Sequence, residues 1–324
     1  MSALKEFVQA NKAGRKGGAD MSPLVAATSQ LALAQMDVWE RCLRQECDMA
    51  RTPLTWLDLC SGDGFIREKA LNALSGPAPN RFFLALALRR LNDWVPEVRA
   101  SARKKLPLMA NDSEPEQVVD VLCATLPHLH SWGRMEEADK QVLLALTSLT
   151  KVLPILISRL ITQNTGPMTA ILTQTCRTSA LDRDLSEIAH RAIQPALRAK
   201  AYRFQLECKA VWFEGRKWEW TDLSKCKGHF QPIRFERPLS VEIPFLDSLK
   251  LAAADPSPLV RRVAGEMLIR SFTLPNTLSG ATRVTVAVAR LLAERLASDT
   301  AAYVAEQGQF VLKRLEPVDI SSPL

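Results

Sequence analysis

The chain has 324 residues, of which 47% are hydrophobic and 6% are aromatic. A hydrophobic fraction of this size excludes intrinsic disorder, and the scarcity of aromatic side chains favours closely packed helices over strands. The 42 basic and 35 acidic residues give a net charge of +7, which suits contact with nucleic acid or acidic proteins but does not predict a fold.

Three regions are expected along the chain. Residues 1–21 are predicted to form a short helix and a flexible basic segment, because residues 11–20 combine Gly with Lys and Arg. Residues 22–315 are expected to form one body, with an insertion at about residues 210–243. Residues 316–324 contain two Pro and two Ser residues and are expected to form a frayed tail.

One short pattern occurs twice with little change, at residues 93–102 and 255–264. Each copy has an Asp, five residues and then an Arg, with Val just before that Arg and Ala three residues after it. A Leu follows eight residues after the Val. Weaker copies lie at residues 61–70, 184–192 and 299–305. The i, i+4, i+8 spacing predicts equivalent buried helix faces, formed by Val98, Ala102 and Leu106 and by Val260, Ala264 and Leu268.

This pattern resembles the second-helix signature of HEAT-type helical repeats. The resemblance implies an all-α fold, a HEAT-like α-solenoid of helix pairs with a Trp-rich insertion. It also implies that Arg67, Arg99 and Arg261 form a ladder with Asp residues of neighbouring repeats, so these arginines are structural before they are ligand contacts.

The composition changes in the insertion, where three of the seven Trp residues lie within nine positions. Alternating hydrophobic and polar residues, interrupted by Gly228 and Pro232, predict a short β-hairpin or an ordered loop. Two interpretations are open: the Trp rings contact a partner, or they form a plug in the helical core. Because Trp and Arg are enriched at interface hot spots, the first interpretation assigns partner binding to Trp212, Arg216, Lys217, Trp218, Trp220 and Arg234.

Sequence motifs of known chemistry are scarce. The chain has no Gly-x-Ser-x-Gly, phosphate-loop or His-Glu-x-x-His motif. Cys226 and His229 form one close pair of ligand types, whereas a structural zinc site needs four ligands. We therefore predict no catalytic residue, no metal and no cofactor, and favour a non-catalytic protein over an enzyme.

The cellular compartment is predicted from two features. The seven cysteines include no Cys-x-x-Cys pair, and the N-terminus lacks the apolar segment of a signal peptide. The most apolar stretch, residues 142–161, is interrupted by Lys151, Pro154 and Arg159, so we expect no membrane contact. A cytoplasmic protein is predicted.

The expected function is a non-catalytic scaffold or adaptor that presents a curved solenoid surface to a macromolecular partner, in the first place a protein. An accessory subunit of a bacterial multi-gene system, such as phage defence, is one alternative.

Another alternative is a DNA-binding HEAT-like protein. The alkylpurine DNA glycosylases use HEAT-like repeats with a Trp and an Asp near the lesion. Here Trp94 follows Asp93, and Trp132 lies two residues before Arg134. In this case the expected nucleic-acid contacts are Lys104, Lys105, Arg262 and Arg270.

Overall fold

A computed structural model describes residues 22–46, 54–273 and 284–316. The protein is 66% helical, with fifteen α-helices and one two-stranded antiparallel sheet in the described part. The predicted predominance of helix is confirmed, as is the β-hairpin in the Trp-rich segment. None of the described helices is long and apolar enough to cross a membrane. The predicted segment 1–21 lies outside the described residues, as does the tail beyond residue 316.

The chain forms two compact units, residues 1–156 and 157–324. Helix α8 (Leu153–Thr162) contains the boundary between them. Short 3₁₀ helices in the first unit span Leu33–Gln35, Trp56–Cys60, Arg89–Asn92 and Leu126–Ser131. The other described helices of this unit are α1 (Ser22–Ser29), α2 (Met36–Glu46), α3 (Gly64–Ala73), α4 (Arg81–Leu88), α5 (Pro96–Asp112), α6 (Pro115–Thr125) and α7 (Glu137–Leu146).

In the second unit, helices that follow one another along the chain pack in pairs. The described elements are α9 (Met168–Thr175), a 3₁₀ helix (Ser179–Leu181), α10 (Leu185–Arg191), α11 (Pro195–Leu206), β1 (Lys209–Asp222), β2 (Lys227–Pro238), α12 (Phe245–Ala254), α13 (Pro258–Thr273), α14 (Val286–Ala297) and α15 (Ala302–Leu315). Helix α10 packs against α11, α12 against α13, and α14 against α15.

Several helix starts follow directly from the sequence. Pro96, Pro195 and Pro258 each occupy the first position of a helix, where the missing N–H has no partner to lose. Asn80 precedes α4, and its side-chain oxygen accepts the backbone N–H groups of the second and third helical residues at 2.9 and 3.2 Å.

The two clearest copies of the repeated pattern bury the same positions. Five of the six residues are completely buried: Val98, Ala102, Leu106, Val260 and Ala264. Leu268 is 1% exposed. The predicted buried faces are therefore confirmed.

Arginine side chains join helices that are distant in sequence. The Nε and Nη2 atoms of Arg67 donate to the two carboxylate oxygens of Asp93 at 2.8 and 2.7 Å, and Nη1 donates to the carbonyl six residues before the Arg. Arg261 makes the same set of contacts with Asp299 and with its own preceding turn. Arg99 keeps the contact to the preceding turn but donates to Glu136 at 2.5 Å. All three predicted arginines are therefore engaged in structural contacts.

A fourth arginine, Arg198, makes the same contacts and was missed by the sequence analysis. Its Nε and Nη2 donate to Asp255 at 2.8 Å each, and its Nη1 donates to the carbonyl of Ala192. In the two clearest copies an Asp lies six residues before the Arg, but Ala192 lies six residues before Arg198. The copy at 184–192 was identified by its Asp, so Arg198 was not included in it. The signal that locates Arg198 is Pro-x-Leu-Arg at 195–198, which matches Pro-x-Val-Arg at 96–99 and 258–261.

Candidate functional site

Strands β1 and β2 pair along their whole length, from Lys209 opposite Pro238 to Asp222 opposite Lys227. We refer to residues 209–238 as the Trp-rich hairpin. The chain turns at residues 223–226, where Cys226 has a φ of 51°. The hairpin begins directly after α11, so the helix fixes where its base lies.

A β-bulge divides the hairpin into a base and a distal half. The register shifts between Phe213 and Gly215, so Glu214 is an extra residue on β1. One extra residue reverses which face the following side chains occupy. As a result Trp212, which is paired with Phe235, lies on one face of the hairpin. Trp218, which is paired with Phe230, lies on the other face.

The distal half carries three aromatic rings that pack on one another. The ring centroids of Trp218 and Trp220 are 5.5 Å apart, and those of Trp218 and Phe230 are 5.0 Å apart, both with edge-to-face geometry. Trp218 is 43% exposed, Trp220 52% and Phe230 61%. We call these three residues the aromatic cluster. Its exposure is at odds with the alternative that Trp218 and Trp220 plug the helical core.

The base of the hairpin is anchored to the helices by Arg237. Its guanidinium donates to both carboxylate oxygens of Asp182, at 2.6 and 2.9 Å, and to the carbonyl of Cys176 at 2.8 Å. Burial alone would raise the pKa of Asp182, but hydrogen bonds from Arg237 and from the Ser240 N–H hold that pKa below its usual value. The carboxylate therefore stays charged and ties the hairpin to the helical body.

A second contact at the base involves Trp212. The guanidinium of Arg177 lies 5.3 Å from the Trp212 ring centroid, and it also contacts Glu214 at 2.9 Å. Trp212 stacks on Phe235, with centroids 6.4 Å apart. This tryptophan is therefore part of the anchor, in contrast to the two at the distal end.

A cavity of about 840 Å³ lies beside the base of the hairpin, within the second unit. We call it the basal cavity. It is lined by Thr173, Lys200, Arg203, Leu206, Glu207, Lys209, Val211, Trp212, Phe213, Arg234, Glu236, Phe245, Met267 and Arg270.

The structure separates the six residues proposed as a partner patch. The side chains of Arg216, Trp218, Trp220 and Arg234 share one face of the hairpin, whereas Lys217 lies on the opposite face. Trp212 is also on that opposite face, at the base. Arg234 lines the basal cavity.

The four proposed nucleic-acid contacts divide between α5 and α13. Lys104 is exposed, but Lys105 donates to the carbonyl of Leu74 at 3.0 Å and thereby satisfies the end of α3. Arg262 pairs with a Glu one turn later, and Arg270 pairs with Glu207 at 2.9 Å. Arg270 also lines the basal cavity, together with Arg234.

The first unit contains a cavity of about 520 Å³. It brings together two pairs noted in the sequence, Asp93 with Trp94 and Trp132 with Arg134. We call it the arginine-rich cavity. Its lining residues are Asp37, Glu40, Arg41, Arg44, Arg89, Arg90, Asn92, Asp93, Trp94, Ser131, Trp132 and Arg134.

The carboxylates of the arginine-rich cavity are committed to ion pairs. Asp93 accepts hydrogen bonds from Arg67, Arg90 and a backbone N–H. Burial opposes ionisation of Glu40, but the charges of Arg90 and Arg89 and their hydrogen bonds lower its pKa to about 2. A general base works best when its pKa is near the working pH. These carboxylates are therefore placed for structure rather than for proton transfer.

Within the described residues, no three His, Cys, Asp or Glu side chains form a group that could hold a metal ion. Comparison of the chain with protein-family models, with curated proteins and with solved structures finds no match. The candidate sites are thus the aromatic cluster, the basal cavity and the arginine-rich cavity.

Proposed function

We propose that this chain is a HEAT-like helical-repeat scaffold that binds a protein partner through the aromatic cluster of its Trp-rich hairpin. The observation that carries the proposal is the exposure of Trp218, Trp220 and Phe230 at the distal end of an anchored hairpin. Large aromatic side chains lose little conformational entropy on binding, and they dominate interface hot spots.

The repeat part of the proposal is supported by the arginine contacts. Arg67, Arg198 and Arg261 each bind the Asp of a later helix start through both carboxylate oxygens. Each also donates to the carbonyl six residues earlier. The recurrence of one geometry at three places is what a helical repeat produces.

The packing of the aromatic cluster favours a protein over a nucleic acid. Trp218 meets its two neighbours at interplanar angles of 83° and 76°. The rings therefore form a compact apolar knob, whereas single strands of nucleic acid need open ring faces on which successive bases stack. The hairpin carries seven basic and four acidic residues. We accordingly propose a protein partner with an apolar groove and an acidic rim.

The test compares two double variants. Trp218→Ala/Trp220→Ala removes the cluster, and Phe65→Ala/Phe310→Ala removes two exposed rings outside the hairpin. The partner is captured from the native host by the wild-type chain, purified, and titrated against all three proteins. We expect the hairpin variant to keep the wild-type Tm and lose partner binding, and the control variant to keep both.

Two results would contradict the proposal. The hairpin variant could retain the partner, or its Tm could fall by many degrees, which would show that the rings stabilise the core. If the chain retains single-stranded nucleic acid and this retention depends on Trp218 and Trp220, the aromatic cluster binds a nucleic acid and not a protein.

A second candidate function is nucleic-acid binding by the arginine-rich cavity. It is favoured by one observation, that Trp94 and Trp132 line this cavity together with Arg41, Arg44 and Arg134. Stacking of bases on Trp and neutralisation of phosphates by Arg would use this combination.

A further inference from the structure

The basal cavity contains more positive charge than its acidic residues neutralise. Its lining includes five basic and two acidic side chains, beside an apolar wall. The basic residues are Lys200, Arg203, Lys209, Arg234 and Arg270. The wall is formed by Leu206, Val211, Phe213, Phe245 and Met267.

Three of these cations already have carboxylate partners. Arg203 pairs with Glu266, and Lys209 pairs with Glu236 at 2.7 Å. Arg270 pairs with Glu207. Lys200 and Arg234 have no carboxylate within ion-pair distance among the described residues. The cavity therefore holds two cations whose charge is not balanced by a direct contact.

Lys200 and Arg234 line the same cavity. Burial lowers the pKa of the Lys200 ammonium, the positive charges of Arg203 and Arg234 lower it further, and Glu207 opposes the change. The Lys200 ammonium lies 4.6 Å from the centroid of the Phe204 ring. Holding two like charges together in a partly buried place costs free energy, which a bound anion would offset.

The position of Lys200 follows from the helix that carries it. Lys200, Arg203 and Glu207 are spaced i, i+3 and i+7, so they lie on one face of the chain segment that forms α11 and its C-cap. The opposite face of α11 carries Arg198, Tyr202 and Gln205, and all three are buried. The core of the second unit thus fixes the direction in which the basic face points.

We propose that the basal cavity binds a phosphate monoester of a small organic molecule. A phosphate dianion has enough charge and acceptor oxygens to contact Lys200 and Arg234 together. A volume of about 840 Å³ exceeds what inorganic phosphate fills and lies in the range of small-molecule sites. The apolar wall then contacts the organic part. The site is independent of the proposed function, because no residue of the aromatic cluster lines it.

Phenyl phosphate is the probe for this site, since it joins a phosphate dianion to one apolar ring. Inorganic phosphate lacks the ring, and benzenesulfonate carries the ring with a single charge. Isothermal titration of the full chain is expected to show tightest binding for phenyl phosphate and weaker binding for both comparison compounds.

Lys200→Met and Arg234→Gln test the two cations, and Lys227→Gln is the matched control because it removes one exposed charge of the same hairpin outside the cavity. We expect each cavity variant to weaken phenyl phosphate binding by about tenfold or more, as expected for loss of a charge-assisted hydrogen bond. The control should bind like the wild type. Without ligand, both cavity variants should melt at or above the wild-type Tm, because a repulsion has been removed.

Four outcomes overturn the proposal. The wild type could fail to bind phenyl phosphate, or the cavity variants could bind it as tightly as the wild type. Equal affinity for phenyl phosphate and inorganic phosphate would show that the apolar wall does not contact the ligand. A cavity variant with a lower ligand-free Tm would show that the removed cation stabilises the fold, so that there is no repulsion for a bound anion to relieve.

Discussion

Among single residues, arginine does most to join helices that are distant in sequence. Its planar guanidinium can bind both oxygens of one carboxylate and still donate to a backbone carbonyl. Arg67 uses all three nitrogens in this way, with its side chain and that of Asp93 each 1% exposed. In such buried pairs, loss of one partner leaves the other charge without compensation, which is the costly event.

Glu40 provides the sharpest test of a buried pair. Its carboxylate on α2 contacts Arg89 and Arg90, and the pKa is lowered from 4.5 to about 2. A carboxyl whose pKa is lower in the folded state stabilises the fold at any pH above the unfolded pKa. Glu40→Gln should therefore lower the free energy of unfolding by about 3 kcal/mol at neutral pH.

This loss should depend on pH in a defined window. The advantage of the wild type over Glu40→Gln should be complete above about pH 4.5 and should vanish as the pH falls to about 2. Urea unfolding at a series of pH values measures it. Glu187→Gln, which disrupts an exposed pair with Arg191, is the control and should cost less than about 1 kcal/mol. A difference between the wild type and Glu40→Gln that persists unchanged to pH 2 would refute the assignment.

At the scale of elements, helical periodicity was predictable and strand register was not. Val98, Ala102 and Leu106 could be assigned to one face because the α-helix has a fixed period. The hairpin could be predicted from alternation. Gly215, next to the extra residue Glu214, is a sequence signal of a bulge, but it does not show by itself which residue is extra. Without the bulge, Trp212 and Trp218 would lie on the same face, whereas the proposed patch grouped them by composition alone.

The contact between α14 and α15 depends on a glycine. A Cβ atom at Gly308 would lie 2.7 Å from the carbonyl oxygen of Ala293 and would also meet the backbone nitrogen of Ala297. Elsewhere in a helix, Gly→Ala stabilises by roughly 0.5–1 kcal/mol. At Gly308 the backbone of α14 cannot move aside without disturbing the pair, so Gly308→Ala should instead cost about 1–3 kcal/mol.

Gly265 of α13 is the matched control. A Cβ atom there would meet only the side chain of Gln307, whose far end can rotate away and whose Cβ, at 3.1 Å, would have to yield by a few tenths of an ångström. Gly265→Ala should therefore change the Tm much less than Gly308→Ala, which lowers it. Thermal unfolding followed by circular dichroism measures both, and an increase in Tm for Gly308→Ala would show that the two helices have room to separate.

On the scale of the whole molecule, net charge is a weak guide to the partner. The chain carries a charge of +7, yet many of its arginines form ion pairs within the protein. Arg203, Arg261 and Arg270 each contact a carboxylate. A cation that is already paired must lose its carboxylate before it can bind a phosphate, so a surface of this kind is poorly suited to binding nucleic acid through charge alone.

The final prediction separates the protein-binding scaffold from the nucleic-acid candidate. Contact with DNA releases counterions, so retention of a short duplex should be strongest at about 50 mM salt and fall steeply as salt is added. We expect no retention by the wild type even at the low-salt end, because the aromatic cluster is proposed to meet a protein. Retention that disappears in Arg44→Glu/Arg134→Glu and persists in Lys140→Glu would instead favour the arginine-rich cavity. In that case release of a modified base would still have to be measured, since Asp93 and Glu40 are both held in ion pairs.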